Sequence, residues 1–265
     1  SAGADIINND LDSNLIIYIG ENVQSIPEWM FALTGATNVI YEGNAVTSIG
    51  NFAYIGSMCL ETITIPESVT NIGYTVFYST GNVTTLNYNA ISANDYDFSQ
   101  MSGDLAEANL PPFYMVANNI SLTVNIGENV EYIPEYMFAM MADSNSLTIN
   151  FLGSQVTEIG EGAFEYNNEI SALTIPSSVQ KIGPSVFAEC VPSSITFENT
   201  EGWSVSESED MSDSTSVDVT NPTNNSILFT STYANYYWQR EDLPPEPQYT
   251  PLDFTIEDGV ITGYT

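Results

Sequence analysis

A short sequence pattern recurs along this chain and constrains its fold more than any other feature. A valine is followed three positions later by an isoleucine and, after five more, by an aromatic residue. Successive copies within a group of three lie 23 or 26 residues apart, a period typical of solenoid proteins. The six copies are Val23/Ile26/Phe31, Val46/Ile49/Tyr54, Val69/Ile72/Phe77, Val130/Ile133/Phe138, Val156/Ile159/Phe164 and Val179/Ile182/Phe187.

Each copy is preceded by an alternating pair of apolar residues, as a strand with one buried face requires. In the clearest copy the pair is Ile63 and Ile65, and Pro66 ends the strand because it has no N–H for the ladder. Gly73, after the isoleucine, is predicted to allow a tight turn. The other pairs are Ile17/Ile19, Val39/Tyr41, Val124/Ile126, Ile149/Phe151 and Leu173/Ile175, with Leu86/Tyr88 and Ile195/Phe197 closing the two groups.

These features predict a leucine-rich-repeat solenoid, an α/β-type repeat fold of mostly short strands with turns and short helical segments. One repeat buries too little apolar surface to offset the entropy of ordering its residues, so neighbouring repeats must stack. A larger duplication also exists, because residues 19–32 match residues 126–139. It predicts two homologous three-repeat blocks stacked into a curved or kinked superhelix.

The repeats and their interruptions predict how the chain is divided. Between the two blocks the period is broken by a segment containing Pro111 and Pro112, in which Phe113 and Tyr114 are expected to anchor the chain to the core. The predicted segments are a first block at 1–90, an insertion or joint at 91–119, a second block at 120–200, an acidic loop with an aromatic C-terminal cap at 201–240, and a Pro-rich linker with the start of a further repeat block at 241–265.

The charge of the chain excludes several classes of partner. It carries 34 Asp and Glu residues against two cations, Lys181 and Arg240, and its formal net charge is -32. Nucleic-acid binding depends on Lys and Arg that neutralise phosphates, so no nucleic-acid partner is expected. No stretch approaches the roughly 20 apolar residues of a membrane span, so no direct membrane insertion is expected.

The chain lacks the side chain that most often acts in catalysis, because it has no histidine to serve as a general base or a metal ligand. We therefore predict a protein that is not an enzyme and uses no cofactor. A hydrolase with paired carboxylates stays open as an alternative, and it needs a pocket in which two acids converge. Residues 91–119 are the candidate segment for such a pocket.

The acidic stretch at 201–218 has two interpretations. A solvated loop is favoured, and weak divalent cation binding by Glu207, Glu209, Asp210 and Asp213 is the alternative, although their spacing fits no EF-hand loop.

The two cysteines are predicted to be buried free thiols. Cys59 and Cys190 lie several repeats apart, on the order of 20 Å or more at the strand spacing of a stacked sheet, which is beyond disulfide reach.

The motif I-P-x-S-V-x-x-I-G-x-x-x-F, which occupies residues 65–77 and 175–187, resembles the BspA-like leucine-rich-repeat family of bacterial surface proteins. The resemblance spans about residues 15–90 and 120–200. It implies an extracellular or cell-surface protein that adheres to host matrix, host cells or other microbes, with a host protein or glycan as partner and no catalytic residues. The C-terminal residues 254–264 are similar to the segment that introduces a new repeat block in such proteins.

A ligand is expected on the concave face, which the outward residues of the strands line. In a first alternative these residues have no binding role, and Thr and Asn occur there only because they suit exposed positions of a β-sheet. In a second alternative the chain is a structural spacer that displays other domains of a longer surface protein. The predicted binding residues are Tyr18, Ile40, Thr64 and Asn87 in the first block and Asn125, Asn150, Thr174 and Thr196 in the second.

Overall fold

The computed structural model describes residues 15–96, 110–118, 120–143 and 146–241, and the backbone of two strands at 254–257 and 260–264. The strands are β1 (Leu15–Ile19), β2 (Ser25–Ile26), β3 (Ala36–Tyr41), β4 (Ser48–Ile49), β5 (Thr62–Ile65), β6 (Asn71–Ile72), β7 (Thr85–Tyr88), β8 (Ala117–Asn118), β9 (Ser121–Ile126), β10 (Tyr132–Ile133), β11 (Ala142–Asp143), β12 (Ser146–Phe151), β13 (Glu158–Ile159), β14 (Ala172–Ile175), β15 (Lys181–Ile182), β16 (Ser194–Phe197), β17 (Trp203–Ser206), β18 (Thr215–Ser216), β19 (Tyr237–Arg240), β20 (Phe254–Glu257) and β21 (Val260–Tyr264).

The longer strands of the repeats stack in parallel, in chain order, and form one side of a solenoid. Within the described residues this side, called here the β face, consists of β1, β3, β5, β7, β9, β12, β14 and β16. Their side chains alternate as predicted, so that Ile63 and Ile65 are buried while Thr62 and Thr64 are only half-buried. The eight strands delimit about seven turns of the solenoid. They confirm the prediction of a leucine-rich-repeat solenoid.

The recurring valine and isoleucine lie on a second side of the solenoid, where two-residue strands stack. There β2, β4 and β6 pair in parallel, and so do β10, β13 and β15. Because inward residues from both sides meet between them, the core extends along the stack as one cluster. In the described residues, the segments that join these short strands to the next long strand are mostly turns, and two of them also contain the paired strands β8 and β11.

The aromatic residues of the pattern stack on one another along the core. Their ring centroids lie between 5.2 and 5.7 Å apart, with interplanar angles of 21° or less. Because each ring stacks on the ring of the following turn, from Phe31 to Phe187, the stack joins successive turns. This ring stack consists of Phe31, Tyr54, Phe77, Phe113, Phe138, Phe164 and Phe187.

The solenoid continues through the segment that interrupts the repeat pattern. Strand β7 pairs directly with β9, so that Asn87 lies beside Asn125 although 38 residues separate them. The backbone N–H of Phe77 donates to the carbonyl of Pro112 at 3.0 Å, as that of Tyr54 does to Val76. The described residues of this segment therefore form a turn of the stack, while residues 97–109 lie outside the described part.

This fourth turn uses other residues at the repeat positions. Ala93, Tyr96 and Phe113 are buried where other turns place valine, isoleucine and the aromatic ring. Phe113, expected to anchor the segment, is fully buried in the ring stack, and Tyr114 lies beside Tyr78. The division of the chain into five segments stays a prediction.

The glycine after the repeat isoleucine has a different role from the one predicted. Gly73 does not adopt a positive φ, so it is not needed for a left-handed turn. A Cβ on Gly73 would instead lie 2.6 Å from the backbone nitrogen of Asn51 in the preceding turn. The glycine is required because successive backbones approach too closely for any side chain.

A C-terminal segment covers the last turn. Strand β19 pairs antiparallel with β15, and β17 and β18 extend this sheet. Trp238 is buried and stacks on Phe229 with centroids 4.1 Å apart. Phe229 lies in a π-helical turn that follows α1 (Pro222–Ile227), whose N-terminus is capped by Asn221. Neither helical segment of the described chain is long and apolar enough to cross a membrane.

The prediction for the cysteines is half right. Both thiols are free, but only Cys190 is buried, and Cys59 is exposed. Cys59 lies in the turn before β5, one residue ahead of Leu60, whose side chain takes the buried position instead. The Cys190 thiol donates to the carbonyl of Phe164 at 3.2 Å, and burial raises its pKa to about 12.

Candidate functional site

The eight residues predicted to bind a ligand form one row across the β face. Strand register places Tyr18 beside Ile40, Asn87 between Thr64 and Asn125, Asn150 beside Asn125, and Thr174 beside Thr196. Tyr18 has 43% of its surface exposed, and Asn150, Thr174 and Thr196 are also exposed. Ile40, Thr64, Asn87 and Asn125 are half-buried.

A second row, two residues earlier on each strand, lies parallel to the first and was not predicted. Like the first row, it contains no Asp, Glu, Lys or Arg, although 34 acids occur in the chain. Alternation along the strands could have identified it, since residues two apart share a face. The second row, in chain order, is Ile16, Asn38, Thr62, Thr85, Thr123, Thr148, Ala172 and Ser194.

Hydrogen bonds between the amides of the first row hold the middle of the β face. The Nδ2 of Asn125 donates to the Oδ1 of Asn87 at 2.9 Å, and the Nδ2 of Asn150 donates to the Oδ1 of Asn125 at 3.1 Å. Such side-chain hydrogen bonds between strands stabilise the sheet, as the alternative without a binding role requires. Each Nδ2 still has a second hydrogen, so the amides can donate to a ligand as well.

Two breaks divide the β face into three sheets. Strands β1 and β3 pair with each other, β5, β7, β9 and β12 form a central sheet, and β14 pairs with β16. At the first break an open groove of about 500 Å³ lies between β3 and β5. At the second break a groove of about 450 Å³ lies between β12 and β14.

Acidic side chains gather on the side of the short strands. Glu135, Glu158, Glu161 and Glu209 line a cavity of about 160 Å³, beside Lys181. Burial raises the pKa of Glu135, and the charges of Asp95 and Glu161 raise it further.

Two of the acids on this side accept hydrogen bonds from tyrosines. Glu161 accepts one from the Tyr136 hydroxyl, and Asp95 accepts one from the Tyr132 hydroxyl. Asp95 belongs to the segment in which the hydrolase alternative expected converging acids. Most of that segment's acids, at residues 97–109, lie outside the described residues.

Glu165 is a half-buried carboxylate with a strongly raised pKa. Burial, followed by the charges of Glu161 and Glu189, raises the pKa of Glu165 to about 7. The folded chain therefore binds this proton more tightly than the unfolded chain, in which a glutamate titrates near 4.3. The stability that comes from the protonated form is fully present below about pH 4.3 and is lost as the pH rises through about 7.

We expect Glu165→Gln to stabilise the protein in weakly alkaline solution only. The free energy of unfolding should rise by about 1 kcal/mol at about pH 8, a figure reduced for solvent screening because the carboxylate is half-exposed, and should change by a few tenths near pH 4.5. Urea unfolding at both pH values measures the difference. Glu128→Gln, which removes an exposed charge, is the control, and an equal gain from both variants would show that Glu165 is not special.

Three of the four acids predicted as cation ligands accept hydrogen bonds from nearby residues. Glu207 accepts one from the Tyr236 hydroxyl at 2.8 Å, Asp213 from the Ser206 hydroxyl, and Asp210 from the backbone N–H of Ser212. Among the described residues no group of three His, Cys, Asp or Glu side chains is arranged to hold a metal ion. Cation binding by Glu207, Glu209, Asp210 and Asp213 stays a prediction.

A family model described as "BspA type Leucine rich repeat region" matches residues 11–103 and 113–205 with six copies. None of the curated proteins matches the chain.

Solved structures of bacterial proteins also match the chain. A leucine rich cell surface protein from Faecalibacterium prausnitzii A2-165 is 25% identical, with a TM-score of 0.34 over 73% of this chain and 52% of that chain. A leucine-rich repeat protein from Eubacterium ventriosum ATCC 27560 is 18% identical, with a TM-score of 0.31 over 69% and 53%. The pneumococcal vaccine antigen PcpA is 16% identical, with a TM-score of 0.28 over 71% and 63%. The chain spans about half the length of the first two.

Proposed function

This chain belongs to the BspA-type leucine-rich repeat family, and from that membership we propose that it is a non-catalytic binding protein of the bacterial surface that adheres to a host protein or glycan through the β face. The family resemblance supports an extracellular or cell-surface location and implies no catalytic residues.

One observation carries the proposal. Both rows of the β face lack charged residues, in a chain whose net charge is -32. Acids that lie outside the β face keep the protein soluble, while an uncharged polar surface can be desolvated at moderate cost when a partner covers it. Tyr18 adds an exposed aromatic ring, the kind of side chain enriched at binding surfaces.

The proposal is tested by replacing Tyr18, Asn125 and Asn150 together with alanine. We expect binding to immobilised fractions of host extracellular matrix and mucus to fall by about tenfold or more, because the variant loses an exposed ring and two amides from one row. The fold should remain, since the hydrogen bonds lost are worth about 1 kcal/mol each. Binding is measured by surface plasmon resonance, after a pull-down with the wild-type chain has identified the active fraction.

A matched control carries three changes on another side of the solenoid. Thr47, Thr70 and Thr157 are exposed, and each hydroxyl donates to a carbonyl of the preceding turn, so the alanine variant loses a similar number of inter-turn hydrogen bonds. Equal binding by both triple variants would place the site elsewhere. If the wild-type chain captures no partner, the structural-spacer alternative is the correct one.

A further inference from the structure

The two breaks in the β face coincide with the two prolines that follow its strands. In five turns the residue after the strand donates its N–H to the last inward residue of the preceding strand, for example Asn89 to Ile65 at 3.1 Å and Glu198 to Ile175 at 3.0 Å. Pro66 and Pro176 occupy this position after β5 and β14 and have no N–H to donate. The prolines therefore leave β3 and β12 without this bond.

Each break is closed at one end and open at the other. At the first, the Glu61 N–H donates to the Thr37 carbonyl at 3.2 Å, and at the second the Leu147 N–H donates to the Glu169 carbonyl at 3.1 Å. Beyond these bonds and a bridge between Leu147 and Ile170, the described strands on the two sides are not paired. Backbone groups that pair within a sheet elsewhere thus face a groove.

The two grooves are built from equivalent residues. Each has a half-buried aromatic side chain, a glycine two residues after it, and the proline on the opposite side. The first groove includes Asn38, Ile40, Tyr41, Gly43, Thr64 and Pro66. The second groove includes Thr148, Asn150, Phe151, Gly153, Thr174 and Pro176.

We propose that the two grooves are a pair of equivalent sites for a neutral glycan, one that binds both at once when it is a polymer. This inference rests on the proposed function and names its ligand class. Sugar hydroxyl groups both donate and accept, which suits Thr hydroxyls, Asn amides and backbone groups together, and the apolar face of a sugar ring suits Tyr41 or Phe151. Both volumes, about 500 and 450 Å³, fall within the range of small-molecule sites.

The charge of the chain and the shape of the grooves disfavour anionic glycans and extended peptides as ligands. No cation lines either groove, and the net charge of -32 repels sulfated, sialylated or uronic acid glycans. An extended peptide would have to enter as an additional strand, and the closed end of each break leaves no room for one along its whole length. A short, hydroxyl-rich unit needs only the open end.

The spacing of the grooves favours a polymer. The first groove lies between the second and third strands of the β face and the second between the sixth and seventh, so four strand spacings, or roughly 19 Å, separate them. A polysaccharide that reaches both grooves gains affinity through its effective local concentration at the second site.

The test uses neutral polysaccharides as probes, namely mannan, galactomannan and oligomers of N-acetylglucosamine, with heparin and hyaluronan as anionic comparators. Thr64→Leu and Thr174→Leu each remove a hydroxyl and fill one groove. We expect one of the neutral polymers to bind, either variant to weaken it by about tenfold, and the double variant to abolish it. Thr157→Leu, an exposed position on the side of the short strands, is the matched control and should bind as the wild type does.

A second pair of variants tests the role of the prolines. Pro66→Ala and Pro176→Ala restore the N–H donors, so they should weaken glycan binding. Unchanged binding by both variants would show that the missing N–H groups do not create the sites. Three results would overturn the proposal: no neutral glycan binds, the anionic glycans bind as well, or the Thr64→Leu and Thr174→Leu variants bind unchanged. If neutral glycans fail while the β face still captures a matrix protein, only this inference is wrong. If both fail, the proposed function is wrong as well.

Discussion

Gly183→Ala is expected to destabilise the protein by about 3 kcal/mol, which lowers the melting temperature by roughly 10 °C in a chain of this size. A Cβ on Gly183 would lie 2.5 Å from the backbone nitrogen and 2.8 Å from the Cα of Glu161 in the preceding turn. Backbone atoms cannot move aside as a side-chain end can, so two turns of the stack must separate. Thermal unfolding followed by circular dichroism measures the loss.

Gly35→Ala is the control for this prediction. A Cβ on Gly35 meets no atom within 4 Å, and the residue does not have a positive φ. Its substitution should therefore cause no loss of stability and can produce a small gain, because alanine restricts the unfolded chain. Similar losses from both variants would mean that helical or turn propensity, and not the close approach of the turns, decides the effect.

Asn167→Ala should cost about 4 kcal/mol, because a fully buried amide satisfies backbone groups of two turns. Its Nδ2 donates to the carbonyls of Phe138 at 2.7 Å and Phe164 at 2.8 Å. Its Oδ1 accepts from the N–H of Met141 at 2.9 Å. Alanine would leave these groups buried without that partner, and the midpoint of urea unfolding should fall accordingly.

The neighbouring Asn168 is exposed and gives the control variant Asn168→Ala, which should change stability by less than about 0.5 kcal/mol. If Asn167→Ala were equally mild, water would have to replace the amide in the core. That result would contradict the assignment of Asn167 as a link between turns.

The repeat pattern predicts the β face well because its physical cause is local. A strand with one buried side needs apolar residues at every second position. All eight predicted pairs contact the core, although Val39, Tyr41 and Phe151, on the strands that border the two breaks, are only half-buried. The same alternation fixes the predicted binding row, from Tyr18 to Thr196. Its hydrogen-bonded amides depend on register between strands that are far apart in sequence, so a single-sequence pattern could not reveal them.

The fourth turn was missed because its residues satisfy the packing without matching the pattern. Ala93 and Tyr96 fill the space of a valine and an isoleucine, and Phe113 follows Tyr96 after 17 residues in place of five. The ring stack accepts Phe113 at 5.4 Å from Phe77, since stacking depends on position in space and not on the length of the intervening loop.

Two further features needed the contacts between turns. Cys59 is exposed because the neighbouring Leu60 occupies the buried position. The number of repeats between the two cysteines does not show which of these neighbours is buried. Pro66 was expected to end its own strand, and it does, but its effect on the preceding strand appears only when β3 and β5 are placed side by side.

The continuity of the β face from β7 to β9 is the claim on which the binding row depends, and disulfide formation between neighbouring strands tests it most directly. In a Cys59→Ser background, Asn87→Cys with Asn125→Cys places two thiols on paired strands about 4.8 Å apart, within disulfide reach. Thr64→Cys with Asn87→Cys is the matched pair inside the regular repeats. Thr64→Cys with Asn125→Cys, two strands apart, should stay reduced. We expect the first two pairs to cross-link under mild oxidation at similar rates. A cross-link in the regular pair but not between residues 87 and 125 would contradict a continuous face.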